Sequence, residues 1–391
     1  MLSDFDIIYV AGHDFNLTDS KISTDHIAEQ LSKNSRLLYV ESIGIRNPHL
    51  NKNDMKRILI KVKNFFRLPR RINKNLYVLT PIAIPFHKNT FIQNLNEILL
   101  SLSIRVVCFF LRFRKRILFV FLPTMNGVVG KVGEQLSIYY CTDEHAEFPG
   151  VDRDSIRKME LELLNKVDLG FATALQILES KKKINPNFYL STHGVDFDHF
   201  ARAQDPDLPV PKDAIHFKKP IIGYFGAIDR WMDFDLIEYL VRKKKDWTFL
   251  FVGKYVVDLS RFSNYSNLYF LGQRPFQELP RYGKIFDVAI VPFRINKLTE
   301  YVFPIKLKEY LSMGKPVVTS ALPPVEVFNK ENRDIVHIGY NDEDFLMKIE
   351  GALLTNIDEQ IRARQESVKK DTWESRVKEL SDVIESFILL Q

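Results

Sequence analysis

The sequence offers little support for disulfide bonds or for a membrane-spanning helix. Its 391 residues include two cysteines, Cys108 and Cys141, and both lie among apolar residues. A disulfide framework needs more cysteines at regular spacing, so we expect a reducing compartment. The longest apolar stretch, 98–111, is shorter than the roughly 20 residues that a span needs, and it contains Arg105. The first residues also lack the basic start of a signal peptide.

Glycine is scarce and phenylalanine abundant, at 16 and 30 residues. With 46% hydrophobic and 27% charged residues, the composition is that of a globular protein with well-filled cores. The length is too great for one ordinary core, so two domains are expected. A net charge of +6 suits an anionic partner, which could be nucleic acid, a phosphate-bearing small molecule or a membrane surface.

Short apolar runs alternate with helical patterns in both halves of the chain, which predicts two parallel sheets. We predict an N-terminal domain over 1–200, a proline-rich linker over 201–219, a C-terminal domain over 220–370 and a final helix over 371–391. The predicted strands are 6–10, 36–40, 76–79, 117–121, 136–140, 169–172 and 188–190, then 221–225, 248–252, 268–271, 288–291, 317–319 and 335–338.

The most informative motif lies within 296–320. Its sequence, NKLTEYVFPIKLKEYLSMGKPVVTS, predicts a helix that begins near Pro304 and ends near Gly314. Lys306 and Glu309 are three residues apart and so share one helix face. A helix N-terminus with a lysine suits phosphate, and a glutamate one turn further can accept hydrogen bonds from two ribose hydroxyls. An ordinary surface ion pair is the alternative that this spacing allows.

The ordered set of motifs resembles the GT-B glycosyltransferases, in particular the family 4-like enzymes of bacterial surface polysaccharide and teichuronic acid synthesis. The matching segments are PxKxxEYLxxGKPVV at 304–318, IGYFGAIDRWMD at 222–233, FVG at 251–253, LG at 271–272, DVAIVPF at 287–293 and HGVD at 193–196. Trp373 and Arg376 match the closing helix, so the resemblance covers most of 120–380. It implies an α/β GT-B fold, with two Rossmann-like doubly wound domains facing each other across a cleft.

The resemblance implies that a nucleotide-sugar, UDP- or GDP-linked, binds to the second domain as co-substrate. The donor-binding residues it indicates are Gly226, Arg230, Lys254, Gly272, Asn296, Pro304, Lys306 and Glu309. Many family 4 enzymes carry two glutamates eight positions apart, and Glu309 fits the second place whereas Tyr301 occupies the first. No His/Cys cluster has metal-ligand spacing, so no metal is expected.

Polar residues after two predicted strands are the candidates for the acceptor side. Asp143 and His145 follow the strand at 136–140, and His13 follows the first strand. If the reaction inverts the anomeric centre, Asp143 could be the general base. If it retains configuration, the donor phosphate can take the proton and Asp143 only positions the acceptor. The alternative for Asp143 is a helix N-cap.

The basic excess is concentrated in 51–76, where nine Lys or Arg face one acid, Asp54. Apolar residues at helical spacing in this stretch predict a basic amphipathic helix on an anionic membrane surface. The predicted membrane-contact residues are Lys56, Arg57, Lys61, Arg67, Arg70 and Arg71. A solvated helix face is the alternative, and nucleic acid is not expected because no known binding module accompanies the charge.

The sequence therefore predicts a glycosyltransferase that moves a sugar from a nucleotide-sugar to a lipid-linked or polysaccharide acceptor in bacterial cell-surface glycan biosynthesis. We expect it in the cytoplasm, on the inner face of the membrane. Two alternatives stay open: a nucleotide-sugar epimerase of GT-B fold, and an inert GT-B partner subunit. The missing first glutamate keeps the second alternative open.

Overall fold

A computed structural model describes residues 2–15, 21–41, 69–81, 90–148, 150–354 and 357–390. Contacts between backbone positions divide the chain into two compact units. The first consists mainly of residues up to Thr192 together with those from Arg376 onward. The second extends from His193 to Ser375.

The first unit contains an eight-stranded sheet in the order β3-β4-β2-β1-β5-β6-β7-β8. All neighbouring strands are parallel except β3 and β4, which are antiparallel. The strands are β1 (Asp6–Val10), β2 (Leu37–Val40), β3 (Arg70–Arg71), β4 (Leu76–Leu79), β5 (Arg116–Val120), β6 (Leu136–Cys141), β7 (Leu169–Ala172) and β8 (Phe188–Leu190).

The central strands of this sheet are apolar runs because helices cover both faces of a parallel sheet. Every residue of β1, DIIYV, is buried, and so is every residue of β2 and β6. The helices of this part of the chain are α1 (Ser23–Ser32), α2 (Thr90–Phe110), α3 (Arg153–Lys166) and α4 (Leu175–Lys182).

The second unit contains a six-stranded parallel sheet in the order β11-β10-β9-β12-β13-β14. Its strands are β9 (Ile221–Phe225), β10 (Thr248–Val252), β11 (Leu268–Phe270), β12 (Val288–Val291), β13 (Val317–Ser320) and β14 (His337–Gly339). The helices are α5 (Phe197–Ala201), α6 (Phe234–Lys243), α7 (Leu279–Ile285), α8 (Ile305–Ser312), α9 (Pro323–Glu331), α10 (Asp342–Leu354) and α11 (Asp358–Val368). A final helix, α12 (Trp373–Leu389), begins in this unit, and its residues from Arg376 group with the first.

The segment 201–219, predicted as a linker between domains, lies within the second unit. Lys284 explains much of its packing, since its ammonium donates to the carbonyls of Asp205, Pro206 and Leu208 at 2.7–2.8 Å. Tyr282 adds a hydrogen bond from its hydroxyl to Asp213 at 2.9 Å. The proline-rich segment is therefore hydrogen-bonded to its own unit. The boundary between the two units falls earlier in the chain, after Thr192.

The structure contradicts part of the predicted basic helix. Arg70 and Arg71 form the edge strand β3, paired with Val78 and Tyr77. Arg70 lies 3.3 Å from the Glu41 carboxylate, and Arg71 donates to backbone carbonyls at 3.0 and 3.3 Å. An extended pair cannot belong to a helix face, so the helix prediction is wrong for these two residues. Lys56, Arg57, Lys61 and Arg67 lie outside the described residues.

Gly170 in β7 tests how tightly the first sheet is covered. A Cβ on Gly170 would lie 1.9 Å from the Phe188 ring, so Gly170→Ala should force the ring or the strand to move. We expect the free energy of unfolding to fall by about 1–3 kcal/mol. Gly351→Ala in α10 is the control, because no described atom outside the backbone of its own helix lies within 4 Å of its Cβ position and alanine favours a helix. Thermal unfolding of both variants gives the comparison, and equal Tm values would contradict it.

Candidate functional site

The start of α8 in the second unit brings together the two residues that the sequence singled out. Pro304 is the N-cap residue of this helix, and Lys306 and Glu309 follow in its first turns. Lys306 Nζ lies 3.1 Å from Glu309 Oε2. The two side chains therefore form an ion pair next to the free N–H groups of a helix N-terminus, as the three-residue spacing predicted.

Glu309 is far less exposed than a surface glutamate, with 4% of its area accessible. Its Oε2 accepts no well-aligned hydrogen bond from any residue that the structure describes, so the contact with Lys306 is electrostatic. Burial raises the pKa of Glu309, and the Lys306 ammonium opposes that shift. A carboxylate oxygen with unused acceptor capacity in a dry position is suited to bind donors from a ligand.

Two glycine turns bring the backbone close to this ion pair. Gly226 follows β9 with φ +144°, and a Cβ there would lie 2.8 Å from Lys306 Cε. A Cβ on Gly253, after β10, would lie 1.7 Å from the Gly226 carbonyl oxygen. Side chains are excluded at both positions, so the backbone after β9 packs closely against Lys306 at the carboxyl ends of the strands, the edge at which ligands bind in open α/β sheets.

The HGVD segment at 193–196 also lies beside α8. The His193 carbonyl accepts a 2.7 Å hydrogen bond from Lys308, a buried lysine whose ammonium lies 2.6 Å from Asp371. Burial, followed by the charges of Lys308 and Lys306, lowers the pKa of His193 to about 4. His193 is therefore neutral at pH 7 and adds no charge near Lys306. Lys308 was not predicted from the sequence, because its partner Asp371 is distant in the chain.

The other predicted donor residues lie on loops of the same unit. Arg230 and Lys254 are exposed after β9 and β10, and the Lys254 carbonyl accepts from Ile228 N–H at 2.9 Å. Gly272 follows β11 with φ +72°. Asn296 instead closes a local turn, since its side-chain oxygen accepts hydrogen bonds from the N–H groups of Leu298 and Thr299. Their predicted contacts with a donor stay predictions.

In the first unit, His13 has a buried partner that the sequence did not reveal. His13 Nε2 lies 2.8 Å from Asp25 Oδ1, and Asp25 has no accessible surface. Tyr39 donates to the same carboxylate oxygen at 3.3 Å, and Thr24 Oγ1 lies 3.3 Å from His13 Nδ1. An acid in the first turn of a helix, as Asp25 is in α1, ordinarily interacts with the helix dipole. The structure makes it the group that orients a partly exposed histidine at the end of β1.

Asp143 and His145 follow β6, two strands away from β1 in the same sheet, or about 10 Å. Asp143 does not cap a helix, because Glu144 and Asp152 hold the two N-cap positions that follow. His145 is buried, and its ring nitrogens form no hydrogen bond with the described residues. Burial lowers the pKa of His145, while the Asp143 carboxylate opposes the shift. The N-cap alternative for Asp143 is thus wrong.

A buried ion-pair network supports this edge of the first sheet from within. The Lys181 ammonium lies 2.7 Å from Glu160 and 3.0 Å from Glu144. Glu160 also accepts a 2.8 Å hydrogen bond from the Tyr139 hydroxyl in β6. All these groups satisfy one another, so we assign them to the scaffold that holds the residues after β6 in place.

Among the described residues, no group of three or more His, Cys, Asp or Glu side chains could hold a metal ion. None of the described helices is both long and apolar enough to cross a bilayer.

Comparison with solved structures identifies the fold as GT-B, which confirms the predicted class. Sucrose-phosphate synthase from Thermosynechococcus elongatus aligns with a TM-score of 0.69 at 13% identity, over 99% of this chain and 100% of that one. Anabaena HepE in complex with UDP aligns with a TM-score of 0.64 at 12% identity, over 98% and 100%. At such identities these likenesses show the fold alone.

Sequence comparison finds similarity to proteins that are named glycosyltransferases. Residues 219–355 match the family Glycosyl transferases group 1. A Bacillus subtilis (strain 168) protein, TuaH, whose name assigns it to teichuronic acid biosynthesis as a glycosyltransferase, is 27% identical over 227 residues. That match covers 56% of this chain and 56% of TuaH, so the chain spans just over half of that relative's length. Both findings confirm the resemblance that the motifs from 193 onward predicted.

The raised pKa of Glu309 predicts a stability cost at neutral pH. The folded state binds the Glu309 proton more tightly than the unfolded chain, so stability falls as pH rises between the two pKa values. Glu309→Gln removes the charge, and we expect a higher Tm at pH 7, by roughly 2–4 °C per kcal/mol. The gain should vanish as the pH falls to about 4.3, the ordinary pKa of glutamate.

Glu326→Gln, at a less buried carboxylate in α9, is the matched control and should leave Tm nearly unchanged. A Tm of Glu309→Gln below that of the wild type at pH 7 would show that the Lys306 contact outweighs the cost of burial.

Proposed function

We propose that this protein is a glycosyltransferase that transfers a sugar from a nucleotide-sugar to a lipid-linked or polysaccharide acceptor in bacterial cell-surface glycan biosynthesis. The observation that carries the proposal is the Lys306–Glu309 pair at the N-terminus of α8, beside the glycine turns at Gly226 and Gly253. The match of 219–355 to Glycosyl transferases group 1 supports it, since the match includes all four residues.

The chemistry of this pair suits a nucleoside diphosphate. Lys306 and the N–H groups at the start of α8 would hold the diphosphate and stabilise its negative charge as the sugar leaves. Glu309 would accept hydrogen bonds from the ribose hydroxyls through the oxygen that has no well-aligned partner among the described residues. We propose a UDP- or GDP-linked donor and no metal cofactor, because lysine and helix N–H groups can carry the phosphate charge themselves.

For the acceptor side we propose His13 as the group that takes the acceptor proton if the reaction inverts configuration. Asp25 supports this choice, because a buried carboxylate 2.8 Å from Nε2 fixes the ring, and the acceptor hydroxyl would take the place of Thr24 Oγ1, which lies 3.3 Å from Nδ1. Asp143 has no comparable orienting partner among the residues described. If the reaction retains configuration, the donor phosphate can take the proton and His13 then positions the acceptor.

We further propose that the protein acts in the cytoplasm as a peripheral protein on the inner face of the membrane. A lipid-linked acceptor would be presented there, and the basic excess within 51–76 supports attraction to anionic lipid.

Donor binding tests the core of the proposal. We expect one class among UDP-, GDP-, ADP- and CMP-sugars to raise the Tm of the wild type, because a ligand that binds only the folded state stabilises it. Glu309→Gln should weaken that binding by roughly tenfold or more, since it removes hydrogen bonds to a charged acceptor. Glu326→Gln should bind as the wild type does. Binding without sugar transfer would favour the inert partner subunit, and conversion of the donor without acceptor would favour an epimerase.

The His13 assignment predicts a different pattern in the rate. Release of nucleoside diphosphate is measured with the identified donor and a bacterial lipid extract as acceptor. We expect His13→Ala to lower kcat by about 10²–10⁴-fold, and Asp25→Asn to lower kcat with little change in KM, because Asp25 would act on the acceptor through His13 and not by contact. Asp143→Ala should cost less than His13→Ala. The reverse order would transfer the role of base to Asp143.

A further inference from the structure

The outward face of α2 in the first unit is apolar. Five large side chains on this helix are between 46% and 74% exposed. They are spaced at helical intervals and together form a stripe about 18 Å long. We call this stripe the α2 face; its members are Ile98, Leu102, Val106, Phe109 and Phe110.

The opposite side of α2 is buried in its own unit. Leu100, Ile104 and Cys108 have almost no accessible area. A surface helix normally turns a polar face to solvent, yet the exposed face of α2 is largely apolar and no described residue covers it. Exposed apolar patches of this kind mark surfaces that bind a partner.

Positive charge surrounds the α2 face. Arg105 lies within the stripe, and Arg112, Arg114 and Lys115 follow the end of the helix, all exposed. None of the four has an ion-pair partner among the residues that the structure describes. The single acid within 94–116, Glu97, is only partly exposed and lies 3.2 Å from Lys131. The nearby Asp6 carboxylate is taken up by Arg36 and by the Arg114 backbone N–H.

We propose that the α2 face docks on the surface of an anionic lipid bilayer. The five apolar side chains would enter the boundary between headgroups and acyl chains, and Arg105 and the basic residues after the helix would contact lipid phosphates. The helix would lie on the membrane, since no described helix is long and apolar enough to cross a bilayer. The α2 face belongs to the first unit, whereas the residues of the proposed donor site belong to the second.

Charge favours lipid over the two other possible occupants. The chain's own 51–76 segment carries nine basic residues and one acid, so covering the α2 face with it would bring like charges together. A second copy of the chain would likewise add basic residues and no exposed acid from this face. Anionic lipid alone supplies both an apolar layer and negative charge.

Sedimentation of the full-length protein with vesicles tests the proposal, with no nucleotide-sugar present. We expect binding to vesicles of phosphatidylcholine with phosphatidylglycerol, and much weaker binding to phosphatidylcholine alone. Added salt should weaken the binding, since it screens the charge. Because the donor site is not involved, failure here would leave the proposed glycosyl transfer unaffected.

The double variant Phe109→Ser with Phe110→Ser should lower the partition coefficient by roughly tenfold or more. Ile215→Ser in the second unit is the matched control, because Ile215 is 73% exposed and we predict no contact between it and lipid. A triple variant, Arg112→Gln with Arg114→Gln and Lys115→Gln, should weaken the preference for anionic vesicles while leaving Tm unchanged. Arg105 and the basic residues of 51–76 would keep part of that preference.

Three outcomes would overturn the proposal. Equal binding of the wild type to neutral and anionic vesicles would remove the charge argument. A large fall in Tm for the phenylalanine double variant would show that the chain itself covers the α2 face. A wild-type dimer that the double variant converts to a monomer would assign the α2 face to a second copy.

Discussion

The second unit is built around a carboxylate that water scarcely reaches. Glu309 is buried beside Lys306, and the net effect of its surroundings is to resist the charged form. Lys306 supplies one opposite charge and so limits this cost without removing it. A fold that tolerates an incompletely satisfied carboxylate gives up stability at that point, which is the usual relation between binding sites and stability. The glycine turns serve the same arrangement, since a Cβ on Gly226 would clash with Lys306 Cε and a Cβ on Gly253 with the Gly226 carbonyl.

The first unit treats its polar groups differently. Glu160, Lys181 and Tyr139 satisfy one another in the interior, so they fix the end of β6 without leaving capacity for a ligand. His13 is held by Asp25 but stays partly exposed, and His145 is buried without a hydrogen-bond partner among the described residues. One edge of the sheet thus combines a rigid polar support with a partly exposed histidine whose two ring nitrogens lie near Asp25 and Thr24. This division is typical of a site that must hold a substrate group in one position.

Most of the fold could be predicted because parallel strands buried on both faces are continuous apolar runs. The strands at 6–10, 76–79 and 221–225 coincide with the observed ones, and the Lys306–Glu309 spacing predicted their contact. Pairings between distant residues could not be predicted. Asp25 looks like any acid in a first helical turn, and nothing in the proline-rich 201–219 segment shows that Lys284 will bind its carbonyls. β3 was missed because two arginines carry no strand pattern.

The positive net charge of the chain has several separate origins that composition alone cannot distinguish. Lys308 and Lys181 are buried and paired with carboxylates, so they contribute to folding and hardly to the external field. Lys306 is paired with Glu309 at the start of α8, where we propose that the diphosphate of the donor binds. Arg105, Arg112, Arg114 and Lys115 are exposed around an apolar helix face, which we propose docks on anionic lipid. A basic protein of this kind can thus direct its charge at two different anions, which we propose are a soluble diphosphate and a lipid surface.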